Sequence, residues 1–442
     1  MGFSLDRISV PCCWSVCLAV VLSPSPVMSQ VMTETPSVAA ASKLNSQRSL
    51  TLTEILDNAS AFYPSLRAAR FEARAAGEDI TALRRQRLPT LSVTSETNSG
   101  NVRSYPTNAV QVQQTLWDFG RISARVAEAE AAADVGLLNV YLQQQDLFLQ
   151  IIAAWQNMLN ARERLRVADS TLERLRAYQA QMRRRVAAEA SPRIDLELVD
   201  ARLLQTEVEF TMAKTSLQVA VTRLEQLSGL EQLVGRTDSA ADMPDLRRTE
   251  AFLNEILKTD WLYIANLSPS VAKARALVRQ AQSRLDSKQA EAKPQLYVRS
   301  YKPMSVTPVS TDTSLTTFIG LSYTPGAGLA TIAEAQAMAT RISSAEQTVE
   351  SALLEMQQAL QSDREEFVNA RSRIQALEKS VEGSALVLDS YKRQFEAGRK
   401  SWLDLLNAVR ELAQNQYAQA DTQAQLVGAM QRLKLRMGLS PE

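Results

Sequence analysis

Two aspartates at corresponding points of the chain are the residues best placed to do chemistry. Asp195 and Asp404 each lie at the expected start of a helix, directly after a turn. A pair of carboxylates could provide the general acid and the general base of a hydrolase. Each could instead only cap its helix or offset the helix dipole. Because the two lie at equivalent helix starts and not in a recognisable cleft, hydrolysis is the weaker interpretation.

The composition excludes most other catalytic chemistry. None of the 442 residues is histidine, so the commonest general base and metal ligand is missing. The three cysteines, Cys12, Cys13 and Cys17, lie near the N-terminus, and no glycine-rich phosphate loop occurs. The net charge of +1 gives no electrostatic reason to expect nucleic acid. We therefore expect no enzyme, no cofactor, no metal site and no nucleic-acid partner.

The N-terminus has the pattern of a secretion signal. Arg7 precedes an apolar run over residues 10–22, and small and turn-forming residues follow. This pattern predicts a signal peptide over residues 1–29 and then a flexible leader over residues 30–48. No later segment has about 18 consecutive apolar residues, so no transmembrane helix is predicted. A secreted chain of this kind could be periplasmic, extracellular or a β-barrel protein of the outer membrane.

The rest of the chain contains an internal duplication. Short motifs at Pro64 and Pro89 recur at Pro269 and Pro294, an offset of 205 residues. Further markers recur in the same order at offsets of 206 and 209 residues. The predicted organisation is a first structural repeat over residues 49–229, an inter-repeat equatorial segment over residues 230–262, interpreted as a mixed surface segment, and a second structural repeat over residues 263–440.

Each repeat has the pattern of a helix, a strand pair, a long helix and a shorter return helix. The predicted bounds are 65–87, 90–97, 108–116, 121–187 and 193–228 in the first repeat, and 270–293, 295–301, 316–324, 327–396 and 402–437 in the second. Each long helix would extend roughly 100 Å. Heptad spacing in the second long helix predicts a partner helix, with Asp363, Ala370 and Ser384 as the weak positions of the seam.

The four predicted strands imply that several copies associate. Four strands cannot close a barrel around water, and an open edge in lipid would leave backbone groups unpaired. Three copies would supply twelve strands, enough to enclose an aqueous lumen. Helices about 100 Å long could continue such a barrel as a hollow tube. We therefore expect a homotrimer in contact with outer-membrane lipid.

Three segments of the doubled frame carry a resemblance to a known family. They are the strand-to-helix junction Leu116–Arg121 and the two helix tips, residues 185–196 and 395–407. In this order they resemble the TolC outer-membrane efflux family, and the resemblance covers residues 50–440. It implies a mixed, mainly α fold: a duplicated protomer of a trimeric 12-strand transmembrane β-barrel, continued by a long periplasmic α-helical barrel. The implied location is the outer membrane, extending into the periplasm.

The resemblance also implies a function and partners. Members of the family are passive exit ducts that work with a periplasmic adaptor (a membrane fusion protein) and an inner-membrane ABC or proton-driven pump. One scaffold serves both small-molecule efflux and type I protein secretion. Residues 323–329 look like the branch that exports large adhesins, so we favour type I secretion of an adhesin. The alternative is a periplasmic coiled-coil scaffold without a barrel, although the strand pairs recur at matched positions.

Roles for the tip residues follow from the same resemblance. Asp404 would ring the closed pore constriction, and Asn407 replaces a second family carboxylate, which would make cation selectivity milder. Asp195, Lys400 and Phe395 would hold the gate shut. The implied adaptor-docking residues are Ala188, Glu189, Ala190 and Ser191 in the first tip, and Ala397, Gly398, Arg399 and Ser401 in the second. Glu189 stands where the family has glycine.

Plainer interpretations exist for several of these residues. Phe395 and Trp402 could simply pack the tip. The run Arg183–Arg185 could be a solvated face, or it could touch an acidic partner. Trp117 and Phe119 suit an aromatic girdle at a membrane interface, but they would also suit a buried junction.

Overall fold

The structure is a computed structural model that describes residues 50–97, 106–236, 246–304, 314–323 and 330–439. This part of the chain contains nine α-helices and four β-strands. The helices are α1 (Leu52–Phe62), α2 (Pro64–Arg85), α3 (Arg121–Ala187), α4 (Arg193–Ser228), α5 (Leu246–Lys258), α6 (Trp261–Leu267), α7 (Pro269–Glu291), α8 (Ala330–Glu396) and α9 (Trp402–Arg436). The strands are β1 (Thr90–Thr97), β2 (Pro106–Trp117), β3 (Gln295–Pro303) and β4 (Thr316–Ser322).

Several predictions fall outside the described residues. They are the signal peptide over residues 1–29, the leader over residues 30–48 and residues 324–329 of the second junction. Both halves of the chain show the order helix, strand, strand, long helix, return helix. The domain bounds 49–229, 230–262 and 263–440 remain predictions.

The long helices start and stop at residues that break helical geometry. α3 has the predicted bounds 121–187 and follows Gly120, whose φ is 89°. α4 has the predicted bounds 193–228 and follows Pro192, which fits only at a helix start. α3 and α8 contain 67 residues each, so each extends roughly 100 Å. None of the described helices has an apolar stretch long enough to cross a membrane.

The strands form one antiparallel sheet in the order β1-β2-β3-β4. Val93 pairs with Val110 and Val298 pairs with Ile319, so these side chains share one face. Val93 is 71% exposed and Ile319 is 74% exposed, so no described residue covers these two side chains. The register puts mostly polar side chains on the opposite face, among them Thr90, Ser92, Gln111, Gln113 and Arg299. The sheet is therefore two-sided, with its apolar face uncovered.

The junction between β2 and α3 is capped by Asp118. Its Oδ1 accepts a hydrogen bond from the amide of Gly120 at 3.1 Å, and its Oδ2 accepts one from the amide of Ile122 at 2.7 Å. Trp117 and Phe119 flank it with their rings edge to face, 6.1 Å apart between centroids. They are 61% and 47% exposed, so a buried junction role is wrong within this chain.

The seam of α8 packs against α9 as the heptads predict. Leu360, Phe367 and Ile374 recur at seven-residue spacing and are buried. The weak positions Asp363 and Ala370 are buried as well. Alanine fits because it is small, whereas the aspartate needs partners for its charge.

Two guanidinium groups neutralise Asp363. Arg432 Nε lies 2.7 Å from its Oδ1, and Arg436 Nε lies 2.8 Å from its Oδ2. Arg432 also reaches Glu366 at 2.6 Å and Gln156 of α3 at 3.1 Å. Burial alone would lower the pKa of Arg432, but the hydrogen bonds and charges of the two carboxylates outweigh burial and raise it. Because an unpaired buried charge is costly, this network holds α3, α8 and α9 in one relative position.

The inter-repeat segment corrects one sequence interpretation. It is not only a surface segment, because Phe252 and Ile256 of α5 are buried. Phe252 meets Phe367 of α8 edge to face, with centroids 5.4 Å apart. Their four-residue spacing places both α5 side chains on one helix face. The sequence also gave no prediction for α1 and α6, each of which directly precedes a proline-initiated helix.

Candidate functional site

The residues that the sequence singled out lie at the ends of the long helices. The first tip, residues 183–197, joins α3 to α4, and the second tip, residues 392–404, joins α8 to α9. The two tips lie side by side, because one buried cluster packs both. Every residue expected at the gate, the constriction or the docking surface belongs to these paired tips, except Asn407, which lies within the first turns of α9.

An aromatic cluster holds the two tips together. The buried Trp402 ring lies 5.1 Å from Phe395 and 5.8 Å from Tyr178 between centroids. Its Nε1 donates a hydrogen bond to the main-chain oxygen of Asp195 at 2.9 Å. The Arg185 guanidinium carbon lies 4.9 Å from the Phe395 centroid. Phe395 and Trp402 therefore pack the tips against each other. Burial beside them raises the pKa of the Tyr178 hydroxyl.

Both long helices end with the same hydrogen-bond pattern. In the first tip the amide of Ala190 donates to the carbonyl of Arg185 at 2.8 Å, and the amide of Glu189 donates to that of Val186 at 3.0 Å. The second tip repeats the two bonds, at 2.8 and 3.0 Å, around Gly398. This pair of bonds is the Schellman motif, in which the central residue adopts a left-handed conformation.

Glu189 occupies this left-handed position with a side chain. Its φ is 55°, and that of Gly398 is 71°. A side chain in this region costs about 1 kcal/mol, whereas glycine enters it freely. A Cβ added to Gly398 would meet nothing within 4 Å, so the backbone angle and not crowding sets the preference there. The replacement of the family glycine thus keeps the shape of the turn at a cost in backbone strain.

Asp404 forms a capping box with Ser401, the N-cap residue of α9. Its amide donates to Ser401 Oγ at 3.1 Å, and its Oδ2 accepts from the Ser401 amide at 3.3 Å, which completes a capping box. The Ser401 hydroxyl donates to the same Oδ2 at 2.7 Å, and Lys400 Nζ lies 3.8 Å from it. The hydrogen bonds from Ser401, followed by the charge of Lys400, lower the pKa of Asp404. The carboxylate stays ionised at neutral pH, and the side chain is 43% exposed.

The expected partners Asp195 and Lys400 do not pair within the described part of one chain. Lys400 contacts Asp404, and its Nζ lies 4.2 Å from the ring centroid of Tyr391. Asp195 lies in the first turn of α4, after Pro192, which offers no capping side chain. A carboxylate at this position is favoured by the helix dipole. The gate contact that the resemblance implies for Asp195 and Lys400 remains a prediction.

The expected docking residues form an accessible surface. Ser191 is half-buried, and the other seven are exposed: Ala188, Glu189, Ala190, Ala397, Gly398, Arg399 and Ser401. Asn407 is half-buried and lies three residues after Asp404, so both share one face of α9. Within the described residues, no group of three or more acidic, cysteine or histidine side chains could hold a metal ion.

Sequence reasoning gave no role at the tips to two tyrosines that contact them, Tyr178 and Tyr391. Tyr391 carries a signal, because it continues the heptad seam of α8 towards the tip. Tyr178 carries none beyond its place near the end of α3, since its contact with Trp402 joins residues of different repeats.

Comparison with known proteins finds one family that resembles the first repeat. Residues 55–230 match the family model described as outer membrane efflux protein. The match covers the first repeat, less than half of the chain, so this part is similar in sequence to outer membrane efflux proteins. The description of that family names the outer membrane, which agrees with the predicted location.

A relative with a described function resembles part of the chain. "Proteases secretion protein PrtF" of Dickeya chrysanthemi is 27% identical over 182 residues, which cover 37% of this chain and 39% of PrtF. The matched segment thus spans well under half of that relative.

Solved structures of low sequence identity share the fold of this chain. A membrane protein from Pseudomonas aeruginosa is similar with a TM-score of 0.75 and 19% identity, over 88% of this chain and 90% of that one. The outer membrane protein VceC from Vibrio cholerae gives a TM-score of 0.72 and 16% identity, over 88% and 97% of the two chains. The mainly α fold expected from the sequence is confirmed at the level of the single chain.

Proposed function

We propose that three copies of this chain form the outer-membrane exit duct of an export system, which conducts substrate passively from the periplasmic side to the exterior. The observation that carries the proposal is the two-sided sheet. Its apolar face, with Val93 and Ile319, is uncovered, and its strand order leaves β1 and β4 at open edges. Joining β4 of one copy to β1 of the next would pair both edges and close a twelve-stranded barrel.

The long helices would supply the periplasmic part of the duct. Each extends roughly 100 Å from the sheet side of the chain to the paired tips. The exposed Trp117 and Phe119 at the sheet end of α3 suit the aromatic girdle of a membrane interface. The tips would then form the inner end of the tube, where a periplasmic adaptor and an inner-membrane ABC or proton-driven pump dock.

At that inner end, Asp404 and Asn407 would face the lumen and form the constriction. Three Asp404 carboxylates in a ring would attract cations. Because Asn407 carries a neutral amide, the negative potential at the constriction would be weaker than with a second ring of carboxylates. Within one chain, the hydrogen bonds from Ser401 and the charge of Lys400 lower the pKa of Asp404, which favours an ionised carboxylate at each position of such a ring.

For the cargo we propose protein substrates of type I secretion. Support comes from PrtF, a relative whose name describes protease secretion. The narrower proposal, that the cargo is a large adhesin, rests only on the resemblance of residues 323–329.

Membrane fractionation followed by native mass spectrometry in detergent tests the assembly. We expect the chain in the outer-membrane fraction, with the mass of three copies. A protein that is recovered from the periplasmic fraction without detergent, as a monomer or dimer, would overturn the duct and favour a coiled-coil scaffold.

A further inference from the structure

The paired helix tips carry a set of exposed cations without an ion-pair partner among the described residues. We call them the basic collar: Arg183, Arg184, Lys392, Arg393 and Arg399. The ion pairs seen at the tips use other cations, since Arg193 contacts Glu197 at 3.5 Å and Lys400 contacts Asp404 at 3.8 Å. The sequence of the two tips contains eight cations and five carboxylates, while the whole chain has a net charge of only +1. Positive charge is therefore concentrated at this end of the molecule.

Four of the five collar residues lie at equivalent positions of the two repeats. Arg183 and Arg184 correspond to Lys392 and Arg393 at the offset of 209 residues that also relates Glu189 to Gly398. Each pair lies in the last turns of its long helix, close to the Schellman turn. In the proposed trimer such a pair would recur six times around the end of the tube.

Stabilisation of the helix ends does not account for the basic collar. Cations near a helix C-terminus do interact favourably with its dipole. The Schellman bonds, however, already satisfy carbonyls in the last turn of each long helix. Arg399 lies beyond the end of α8, in the turn itself. The exposed side chains thus present positive charge to the solvent around the tips.

We propose that the basic collar docks an acidic protein surface on the periplasmic partner that completes the duct. The proposal rests on the proposed function, which places the collar roughly 100 Å from the outer membrane and so out of reach of its lipids. The cations stand at fixed positions on helix ends that the aromatic cluster packs together. Regularly spaced charges of this kind suit a partner with equally regular carboxylates, and complementary charge would speed docking and set its register.

Binding to an immobilised oligoglutamate peptide, with oligoglutamine as the blank, tests the proposal. The detergent-solubilised protein is compared with Arg183→Glu/Arg184→Glu and with Lys392→Glu/Arg393→Glu. Lys214→Glu/Lys379→Glu is the matched control, because both lysines are exposed, have no ion pair in the described chain and lie far from the tips. We expect each collar variant to bind about tenfold more weakly, the control to bind normally, and salt to weaken wild-type binding.

Three results would overturn the proposal: collar variants that bind like the wild type, a control that loses as much binding, or collar-dependent binding to phosphatidylglycerol vesicles without binding to oligoglutamate. The last result would assign the collar to anionic lipid headgroups. Conductance measured on the same preparations separates this outcome from failure of the duct. Normal conductance of the collar variants would support the duct whether or not they bind oligoglutamate. A wild type that does not conduct would overturn the proposed duct function itself.

Discussion

At the scale of single residues, the helix tips depend on a backbone conformation that side chains rarely adopt. The repeat relates Glu189 to Gly398, and both have positive φ angles in the same Schellman turn. The glutamate was recognisable in the sequence as the replacement of a glycine, but its backbone angle was not. The partner of Lys400 was equally hidden. The resemblance pointed to Asp195, whereas the contact with Asp404, which the capping box holds within reach, required the structure.

Placing glycine at position 189 should stabilise the protein, whereas placing a side chain at position 398 should destabilise it. We expect Glu189→Gly to raise the free energy of unfolding by about 0.5–1 kcal/mol, because it removes the left-handed strain. Gly398→Ala should lower it by about 1 kcal/mol, with no steric clash to add. Gly383→Ala is the control: it makes the same chemical change inside α8, where nothing lies within 4 Å, and should be stabilising. Denaturant midpoints measure all three, and equal signs for Gly398→Ala and Gly383→Ala would refute the argument.

At the scale of elements, the sequence specifies the long helices more closely than the short ones. The bounds of α3 and α4 could be predicted because Gly120 and Pro192 interrupt an otherwise unbroken helical pattern. Helices α1, α5 and α6 span only two to four turns, so their periodicity is hard to distinguish from a loop. The buried position of Asp363 was visible only as a weak place in the heptads. Its partners Arg432 and Arg436 come from another helix and required the structure.

The two faces of the sheet should respond differently to the same charge. Val93→Arg places a cation on the apolar face, where a lipid environment would cost about 2–4 kcal/mol near the bilayer centre. Ser92→Arg is its neighbour on the polar face and should be tolerated. The measurement is the amount of each variant in the outer-membrane fraction, at equal expression. Equal insertion of the two variants would mean that Val93 does not face lipid.

At the scale of the whole molecule, the contacts that the proposed duct requires would lie between chains. The strand pairs could be predicted from the sequence, and the described part of one chain contains them as a two-sided sheet whose apolar face is exposed at Val93 and Ile319. No single chain contains the pairing of β4 with a neighbouring β1, the ring of Asp404 or the gate. These features follow from symmetry and from the family resemblance, since the contacts that would make them join different copies.

Single-channel current in a planar bilayer tests the central claim most directly. The purified mature protein is recorded beside Asp404→Asn, which removes the charge of the proposed ring and keeps an oxygen acceptor for the capping box. We expect discrete, long-lived openings from a particle of trimer size, with a weaker preference for cations in the variant. A preference indifferent to Asp404 would reduce that residue to a helix cap, and a correctly folded wild type without conductance would contradict the exit duct itself.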